Sequence, residues 1–247
     1  LQRAFKIAHE PPAGPVFVSL PINVLEQETA NPILQPAGLF SRSEPDPEGL
    51  SLAVDVLLAA HTPAIIVGDG VARADALSQL VELSELLGAT VRNEGLVHQV
   101  NFPGAHPNFR DRMAFDHAGI RQVLNGVDVV LLIGGSFFEE VWFDEVSPFP
   151  PAAKILQIDA APRRLALNFS PDVALLADPG AAITALGRAI VERGDASYET
   201  GARERNEALA AERAGELEGQ AQRAAAGWDS TPISTARLMA DLRDSLP

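Results

Sequence analysis

Cysteine is absent from the 247 residues of the chain. Its absence excludes disulfide bonds, thiolate nucleophiles and cysteine-based zinc sites within this sequence, and it fits a reducing cytoplasm. The sequence also lacks any apolar run near the roughly 20 residues that span a bilayer. The first residues carry no hydrophobic segment of the kind that marks a signal peptide. We therefore expect a cytoplasmic protein.

Positive charge is scarce, since 19 Lys and Arg residues face 33 Asp and Glu residues, for a net charge of −14. A protein of this charge repels the phosphates of nucleic acids and the surface of anionic membranes. We expect neither as a partner. The excess of acidic residues is sufficiently explained by solubility.

Aromatic residues make up only 6% of the chain, yet five of them fall close together. They are Phe137, Phe138, Trp142, Phe143 and Phe149. Such a segment either covers an active site shared between subunits or packs at a domain interface. Of the two, we favour the interface.

Short apolar runs alternate with stretches of helical periodicity along most of the chain. The runs predict strands at residues 16–20, 64–67, 90–92, 127–133, 154–158 and 173–176. The run 127–133 is almost continuously apolar, as is typical of a parallel strand covered on both faces. This alternation predicts an α/β fold with a doubly wound parallel sheet and helices on both faces.

The helical periodicity predicts helices at residues 50–58, 74–87 and 183–191, the second of them ended by Gly88 as a C-cap. Residues 200–226 are rich in Ala, Glu and Arg and predict a solvated helix between two domains, with surface ion pairs along it. A last helix follows Pro232. The first residue is Leu1 rather than Met, so we expect a piece of a longer protein.

Three predicted strands end in turns that expose backbone N–H groups, the arrangement that binds phosphates at helix N-termini. The turns are Gly68-Asp69-Gly70, Gly134-Gly135-Ser136 and Asp159 with Ala160. A dinucleotide fingerprint is incomplete here, because Arg73 stands where G-x-G-x-x-G requires its third glycine. The simpler interpretation is that these glycines only let the chain turn. The alternative is a nucleotide site made by Gly68, Gly70, His117, Gly134, Gly135, Ser136 and Asp159.

Six segments in order carry a family resemblance: "GPVFVSLPINVL", "PAIIVGDGV", "FPGAHPNFR", "DVVLLIGGSFFEEVWFD", "ILQIDAAPRRLALNF" and "VALLADPGAAITAL". Together they resemble the central region of thiamine diphosphate-dependent enzymes of the acetolactate synthase and benzoylformate decarboxylase type. The resemblance covers nearly the whole chain. It implies three α/β domains per subunit, of which the central one is a six-stranded sheet.

The resemblance implies a division of the chain into five parts. Residues 1–27 end a pyrimidine-binding domain, 28–47 form a linker, and 48–195 form the central domain; 196–230 form a helical linker, and 231–247 begin a diphosphate-binding domain. Thiamine diphosphate and Mg²⁺ would be held by parts of the enzyme outside this chain. The chain itself would carry no catalytic residue and would be inactive alone. The whole enzyme would act on a 2-oxo acid as a homodimer or homotetramer.

Gly68-Asp69-Gly70 also resembles the opening of the motif that binds magnesium and the cofactor's diphosphate in this family. We reject the match, because Asn93 is followed by Glu94 instead of a second Asn, and because residues 74–87 predict an uninterrupted helix. Asp69 is then a turn residue and a charge at a helix N-terminus.

FAD is bound by the central domain of acetolactate synthases, but this sequence departs from their pattern. An arginine-bearing turn of those enzymes is replaced by Gly134 to Glu140, and acidic residues near a pyrophosphate are unfavourable. The active-site histidine that benzoylformate decarboxylase takes from this segment aligns with Val141, which cannot relay a proton. Two other classes stay open: a self-contained module for FAD, NAD or ADP, and a purely structural assembly domain.

The five histidines show no metal-ligand spacing. We interpret His106 as a loop anchor and consider His117 a candidate for facing a cofactor. The acidic group Glu139, Glu140, Asp144 and Glu145 is predicted to be a solvated loop rather than a metal site.

Overall fold

The computed structural model describes residues 1–10, 13–30, 42–138 and 144–245. The helices are α1 (Gln2–His9), α2 (Ile22–Leu25), α3 (Pro47–Leu58), α4 (Gly70–Arg73), α5 (Leu77–Leu87), α6 (His117–Val123), α7 (Pro179–Arg193), α8 (Ala196–Ala226) and α9 (Thr235–Ser245). The strands are β1 (Pro63–Val67), β2 (Thr90–Asn93), β3 (Phe109–Arg112), β4 (Val129–Ile133), β5 (Lys154–Asp159) and β6 (Val173–Leu176).

The six strands form one parallel sheet in the order β3-β2-β1-β4-β5-β6. The order reverses between β1 and β4, which lie side by side with Ile65 opposite Leu131 and Val67 opposite Ile133. The predicted α/β class and six-stranded sheet are confirmed. The carboxyl ends of β1 and β4 consequently meet at the topological switch point, where open α/β sheets bind ligands.

Alternate side chains of the buried strands pack into two separate hydrophobic cores, one on each face of the sheet. On the first face, Ile65 and Leu131 pack with side chains of α3, α5 and α7. On the second face, Ile66 and Leu132 pack with α6 and with phenylalanines from the loop after β4. Because both faces are covered, β1 and β4 are buried along their whole length, as their continuous apolar runs indicate.

Residues 16–20 were predicted to be a strand, but the structure assigns none to them. Their side chains are exposed, with Phe17 at 91%. A strand requires a hydrogen-bonded neighbour, and the described part of the chain offers this segment none. The sixth strand is instead β3, which the sequence conceals because its four residues, Phe-Arg-Asp-Arg, are mostly polar.

The helix predicted at 74–87 is present but begins three residues later, at Leu77. One turn of helix, α4, is followed by a break at residues 74–76, where Asp75 adopts a positive φ of 53°. The second helix, α5, then ends at Gly88, whose φ is 57°. The predicted C-cap is thus confirmed. A side chain at Gly88 would also place its Cβ 2.6 Å from the carbonyl oxygen of Ala202. Both the left-handed φ and this close contact therefore favour glycine at position 88.

The helix predicted at 200–226 is confirmed as part of α8, with ion pairs Arg213–Glu216 at 3.0 Å and Arg203–Glu207 at 3.9 Å. Its first half is not simply solvated. Ala202 is buried, and Arg205 donates two hydrogen bonds to the carbonyl of Leu87 at the end of α5. The predicted last helix is present as α9.

The aromatic cluster was expected at a domain interface, but the structure places its described members inside the domain. Phe137, Phe138 and Phe149 are buried in the second core, where the rings of Phe138 and Phe149 pack against Phe169. Trp142 and Phe143 lie outside the described residues. Burial of the three rings within one core is enough to account for them.

Within the described ranges, no helix has both the length and the apolar character needed to cross a membrane.

Candidate functional site

The two glycine turns at the switch point lie directly against each other. The amide of Gly68 donates to the carbonyl of Ile133 at 2.9 Å, and the amide of Gly70 donates to the carbonyl of Gly134 at 2.7 Å. The amide of Gly134 in turn donates to Ile158 of β5 at 2.9 Å. Three backbone N–H groups that could have cradled a phosphate are therefore already used in the fold.

Only glycine fits at these positions. A Cβ at Gly70 would lie 2.6 Å from the Cα of Gly134, and one at Gly68 would lie 2.5 Å from the Cα of Gly135. Gly134 also has a positive φ of 69°. The glycines thus serve the close packing of two backbones, which is the simpler of the two interpretations that the sequence allowed.

Glu94 brings a carboxylate to this junction. It follows the last residue of β2, its amide donates to the carbonyl of Val67 at 2.8 Å, and only 5% of its surface is exposed. Its Oε2 lies 2.9 Å from the position of a Cβ built on Gly68 and 2.3 Å from that of a Cβ built on Gly135. A buried acidic side chain therefore stands between the two glycine turns.

Asp69 anchors the loop that follows β2. Its carboxylate accepts hydrogen bonds from the amides of His98 and Gln99 and from the side-chain amide of Asn101, at 3.0–3.2 Å. Burial raises the pKa of Asp69, but these hydrogen bonds outweigh it and hold the pKa below the ordinary value of 3.8. Asp69 is the N-cap residue of α4, so its predicted place at a helix N-terminus is confirmed, but its side chain makes no capping hydrogen bond there and anchors the loop instead.

Asp159 ends β5 at the same edge of the sheet. Its Oδ1 accepts a hydrogen bond from the amide of Ala161 at 2.7 Å, and its Oδ2 lies 3.8 Å from the guanidinium of Arg164. Within the described residues, Oδ2 is buried without a hydrogen-bond donor. Burial raises the pKa of this carboxyl group, opposed by the Ala161 hydrogen bond and by the charges of Arg164 and Arg73.

The remaining predicted site residues divide into two groups. Ser136 belongs to the switch point, where its carbonyl lies 3.4 Å from the side-chain amide of Asn168. His117 begins α6, its Nδ1 lies 3.0 Å from the carbonyl oxygen of Val146, and its ring packs 6.2 Å from that of Phe169. The contacts described for His117 thus join it to the second core and not to the glycine turns. Whether any of these residues binds a nucleotide stays a prediction.

His106 has the contacts of a loop anchor, as predicted. Its Nδ1 accepts from the amide of Asn108 at 3.1 Å, and its Nε2 lies 3.3 Å from Glu85. Across the described ranges, no group of three or more histidine and acidic side chains is placed to hold a metal ion. Asp144 is instead paired with Arg121, while Glu139, Glu140 and Val141 lie outside the described residues.

Sequence reasoning underrated Glu94. It appeared only as a mismatch in a cofactor motif, although it directly follows a strand that ends at the same edge as β1 and β4. The rule that parallel strands direct their carboxyl-end residues to one crevice could have placed it there. The rule did place the four glycines and Asp159, which the structure brings together.

Comparison with known proteins agrees with this architecture. Residues 50–186 match the family described as "Thiamine pyrophosphate enzyme, central domain". The chain belongs to this family. Its sheet, from β1 to β6, lies within the matched residues, so the family resemblance and the fold rest on the same part of the chain.

Individual relatives carry different activities in their names. A sulfoacetaldehyde acetyltransferase of Rhodobacter capsulatus is 33% identical over 57% of this chain and 24% of its own length. An acetolactate synthase of Mycobacterium bovis is 30% identical over 75% of this chain and 30% of its own length. The crystal structure of benzoylformate decarboxylase from Polynucleobacter necessarius superposes with a TM-score of 0.67 and 25% identity, over 76% of this chain and 35% of that one.

These figures show that the chain spans about a quarter to a third of the length of such relatives. They identify a central domain, and the domain is one that belongs to thiamine-dependent decarboxylases, carboligases and transferases.

Proposed function

We propose that this chain is the scaffold of a thiamine diphosphate-dependent enzyme that acts on a 2-oxo acid, as a decarboxylase or as an acetolactate synthase-like carboligase. The observation that carries the proposal is the match of residues 50–186 to the family's central domain. The relatives named above include one enzyme of each kind.

In this proposal the chain positions other parts of the enzyme and does not catalyse alone. The groups at its switch point are engaged with each other, and its described acidic and histidine side chains form no metal cluster. Thiamine diphosphate and Mg²⁺ would be held by regions that correspond to the rest of the relatives' length. When bound, the cofactor supplies the carbanion chemistry that removes CO₂ from a 2-oxo acid.

The remaining details are also proposals. Residues 48–195 would be the central domain, and the match at 50–186 falls inside these bounds. The segments 1–27 and 231–247 would belong to the neighbouring domains. Their exposed apolar side chains, such as Phe17 and Met239, support this assignment. A homodimer or homotetramer in the cytoplasm completes the proposal.

The test compares the full-length protein with the 247-residue chain. We expect the full-length protein to release CO₂ from at least one member of a panel of aliphatic and aromatic 2-oxo acids. Release should require both thiamine diphosphate and Mg²⁺, and thiamine without its diphosphate is the matched control. The chain alone should release none while giving the circular dichroism of a folded α/β protein.

Two results would contradict the proposal. One is turnover of a 2-oxo acid by the isolated chain. The other is a full-length protein that fails to bind thiamine diphosphate with Mg²⁺ in calorimetry although it is folded.

A self-contained module for FAD, NAD or ADP is the alternative, and the findings do not favour it. The family match and the relatives are those of thiamine-dependent enzymes.

A further inference from the structure

A dinucleotide, if this sheet held one, would be expected at the switch point between β1 and β4. Such ligands place their pyrophosphate against the first glycine turn and the N-terminus of the helix that follows it. Here that turn is Gly68-Asp69-Gly70, and the helix after it is α4. FAD is the dinucleotide that the resemblance to acetolactate synthases suggests.

The elements that would bind a pyrophosphate are not offered by this turn. The amides of Gly68 and Gly70 donate to carbonyls of the β4 end, at 2.9 and 2.7 Å. The helix α4 has only four residues, so its dipole is far weaker than that of a long helix. A phosphate placed here would find its usual backbone donors already bonded.

A carboxyl group of the protein already lies at the same point. The Oε2 of Glu94 lies so close to Gly68 and Gly135 that an added Cβ would fall 2.9 and 2.3 Å from it. Only 5% of the surface of Glu94 is exposed. Beside it, Phe137 is 1% exposed, and its Cζ lies 3.1 Å from the Cβ position of Gly135.

From this geometry we propose that the side chain of Glu94 occupies the place of the pyrophosphate. The switch point of this protein is therefore filled by the protein itself and binds no dinucleotide. A diphosphate would have to displace the carboxyl group of Glu94 and the ring of Phe137 beside it, because both already fill the space against Gly135. The residues thus do not fit FAD. The inference concerns only the switch point and does not depend on the proposed reaction.

The first arm of the test locates the carboxylate by a double-mutant cycle on the chain. Gly135→Ala should lower the unfolding midpoint by about 5 °C, because the new methyl group collides with Glu94. In a Glu94→Ala background the same change should cost less than about half of that shift, since the colliding group is gone.

Gly70→Ala is the matched control, because its methyl group would collide with the backbone of Gly134 at 2.6 Å and not with Glu94. Its cost should be the same with and without Glu94. Additive costs for Gly135→Ala would overturn the proposal. If Gly135→Ala alone does not fold, soluble yield replaces the midpoint, and recovery by Glu94→Ala is the expected result.

The second arm tests the exclusion of ligand with FAD and ADP as probes. Purified wild-type protein should show no flavin absorbance near 450 nm and no saturable heat of binding for either probe at concentrations up to about 1 mM. Flavin that copurifies with the protein, or a dissociation constant below about 100 μM for either probe, would overturn the proposal whatever the reaction of the full-length enzyme.

Discussion

At the scale of single residues, the carboxyl edge of the sheet shows how three carboxylates acquire different roles from their surroundings. Asp69 accepts several hydrogen bonds and anchors a loop. Asp159 accepts one from Ala161 and is otherwise buried, which raises its pKa. Glu94 lies between two glycine turns. The side chains are chemically alike, and the neighbouring donors decide what each one does.

The Asp69 anchor makes stability depend on pH. The folded pKa lies below the unfolded value of 3.8, so the stabilisation is present above pH 3.8 and is lost as pH falls through the folded pKa. Asp69→Ala should lower the free energy of unfolding at pH 7 by about 1–3 kcal/mol, because the buried side-chain amide of Asn101 and the partly buried backbone amides of His98 and Gln99 lose their acceptor. In urea denaturation, the difference in free energy of unfolding between Asp69→Ala and wild type should become smaller below about pH 4.

Asp75→Ala is not a suitable control, since Asp75 has a positive φ. Asp244→Ala is better, because Asp244 lies near the end of α9 with an exposed side chain and an ion pair only to its neighbour Arg243. It should change stability by less than about 0.5 kcal/mol. If the difference in free energy of unfolding between Asp69→Ala and wild type stayed constant down to pH 2.5, Asp69 would not be the source of the pH dependence.

At the scale of secondary structure elements, the docking of α8 depends on a buried arginine. Arg110 of β3 has a side chain that is 4% exposed, and it donates to the carbonyl of Leu209 at 2.8 Å and to Glu212 at 3.1 Å. It also donates to the carbonyl of Pro107 at 2.6 Å. The guanidinium therefore joins the edge strand of the sheet to the middle of a 31-residue helix.

Arg110→Lys should lower the free energy of unfolding by about 2–4 kcal/mol, although it keeps the charge. An ammonium group cannot make the forked contacts of a guanidinium, so the hydrogen bonds that join Pro107, Leu209 and Glu212 through one side chain are lost in part. Hydrogen exchange should also be faster at the amides near Leu209. Arg203→Lys, whose pair with Glu207 is mostly exposed, should cost less than about 0.5 kcal/mol. Equal costs for the two substitutions would contradict this account.

At the scale of the whole molecule, the structure contains one packed body with loosely attached ends. Neither α1, α2 nor α9 contributes a buried residue. The two cores lie between Ala53 and Ile190, and α8 covers their edge. Stability should therefore depend on the sheet, its covering helices and α8.

Truncation tests this distribution. A chain of residues 42–230 should unfold within about 3 °C of the 247-residue chain, because none of the described side chains that are removed is buried. A chain that ends at residue 195 loses α8, exposes Ala202's neighbours on α5 and leaves Arg110 without its partners. Its unfolding midpoint should fall by at least about 8 °C in calorimetry. Equal midpoints for the two truncations would show that α8 does not stabilise the domain.

Much of this organisation could be predicted from the sequence, because the evidence for it is local. Five of the six strands were predicted, most of them from apolar runs, and Gly88 marks the end of α5 where a left-handed residue is needed. The mostly polar β3 was missed, and residues 16–20 were overpredicted, since a strand's existence depends on a partner that the sequence does not show. The turn at residues 74–76 was missed because a positive φ at a non-glycine residue such as Asp75 leaves no mark in the periodicity of the sequence.

The sequence by itself determined the α/β class, the positions of the apolar strands along the chain and the family to which the chain belongs. These follow from periodicity and from motifs that are contiguous in the chain. Only the tertiary structure decided that the glycine turns bond to each other, that Asp69 anchors a loop, and that Glu94 lies between Gly68 and Gly135. Such contacts join strand ends that are distant in the sequence. Their geometry is set by the register and reversal of the sheet, which no single segment encodes.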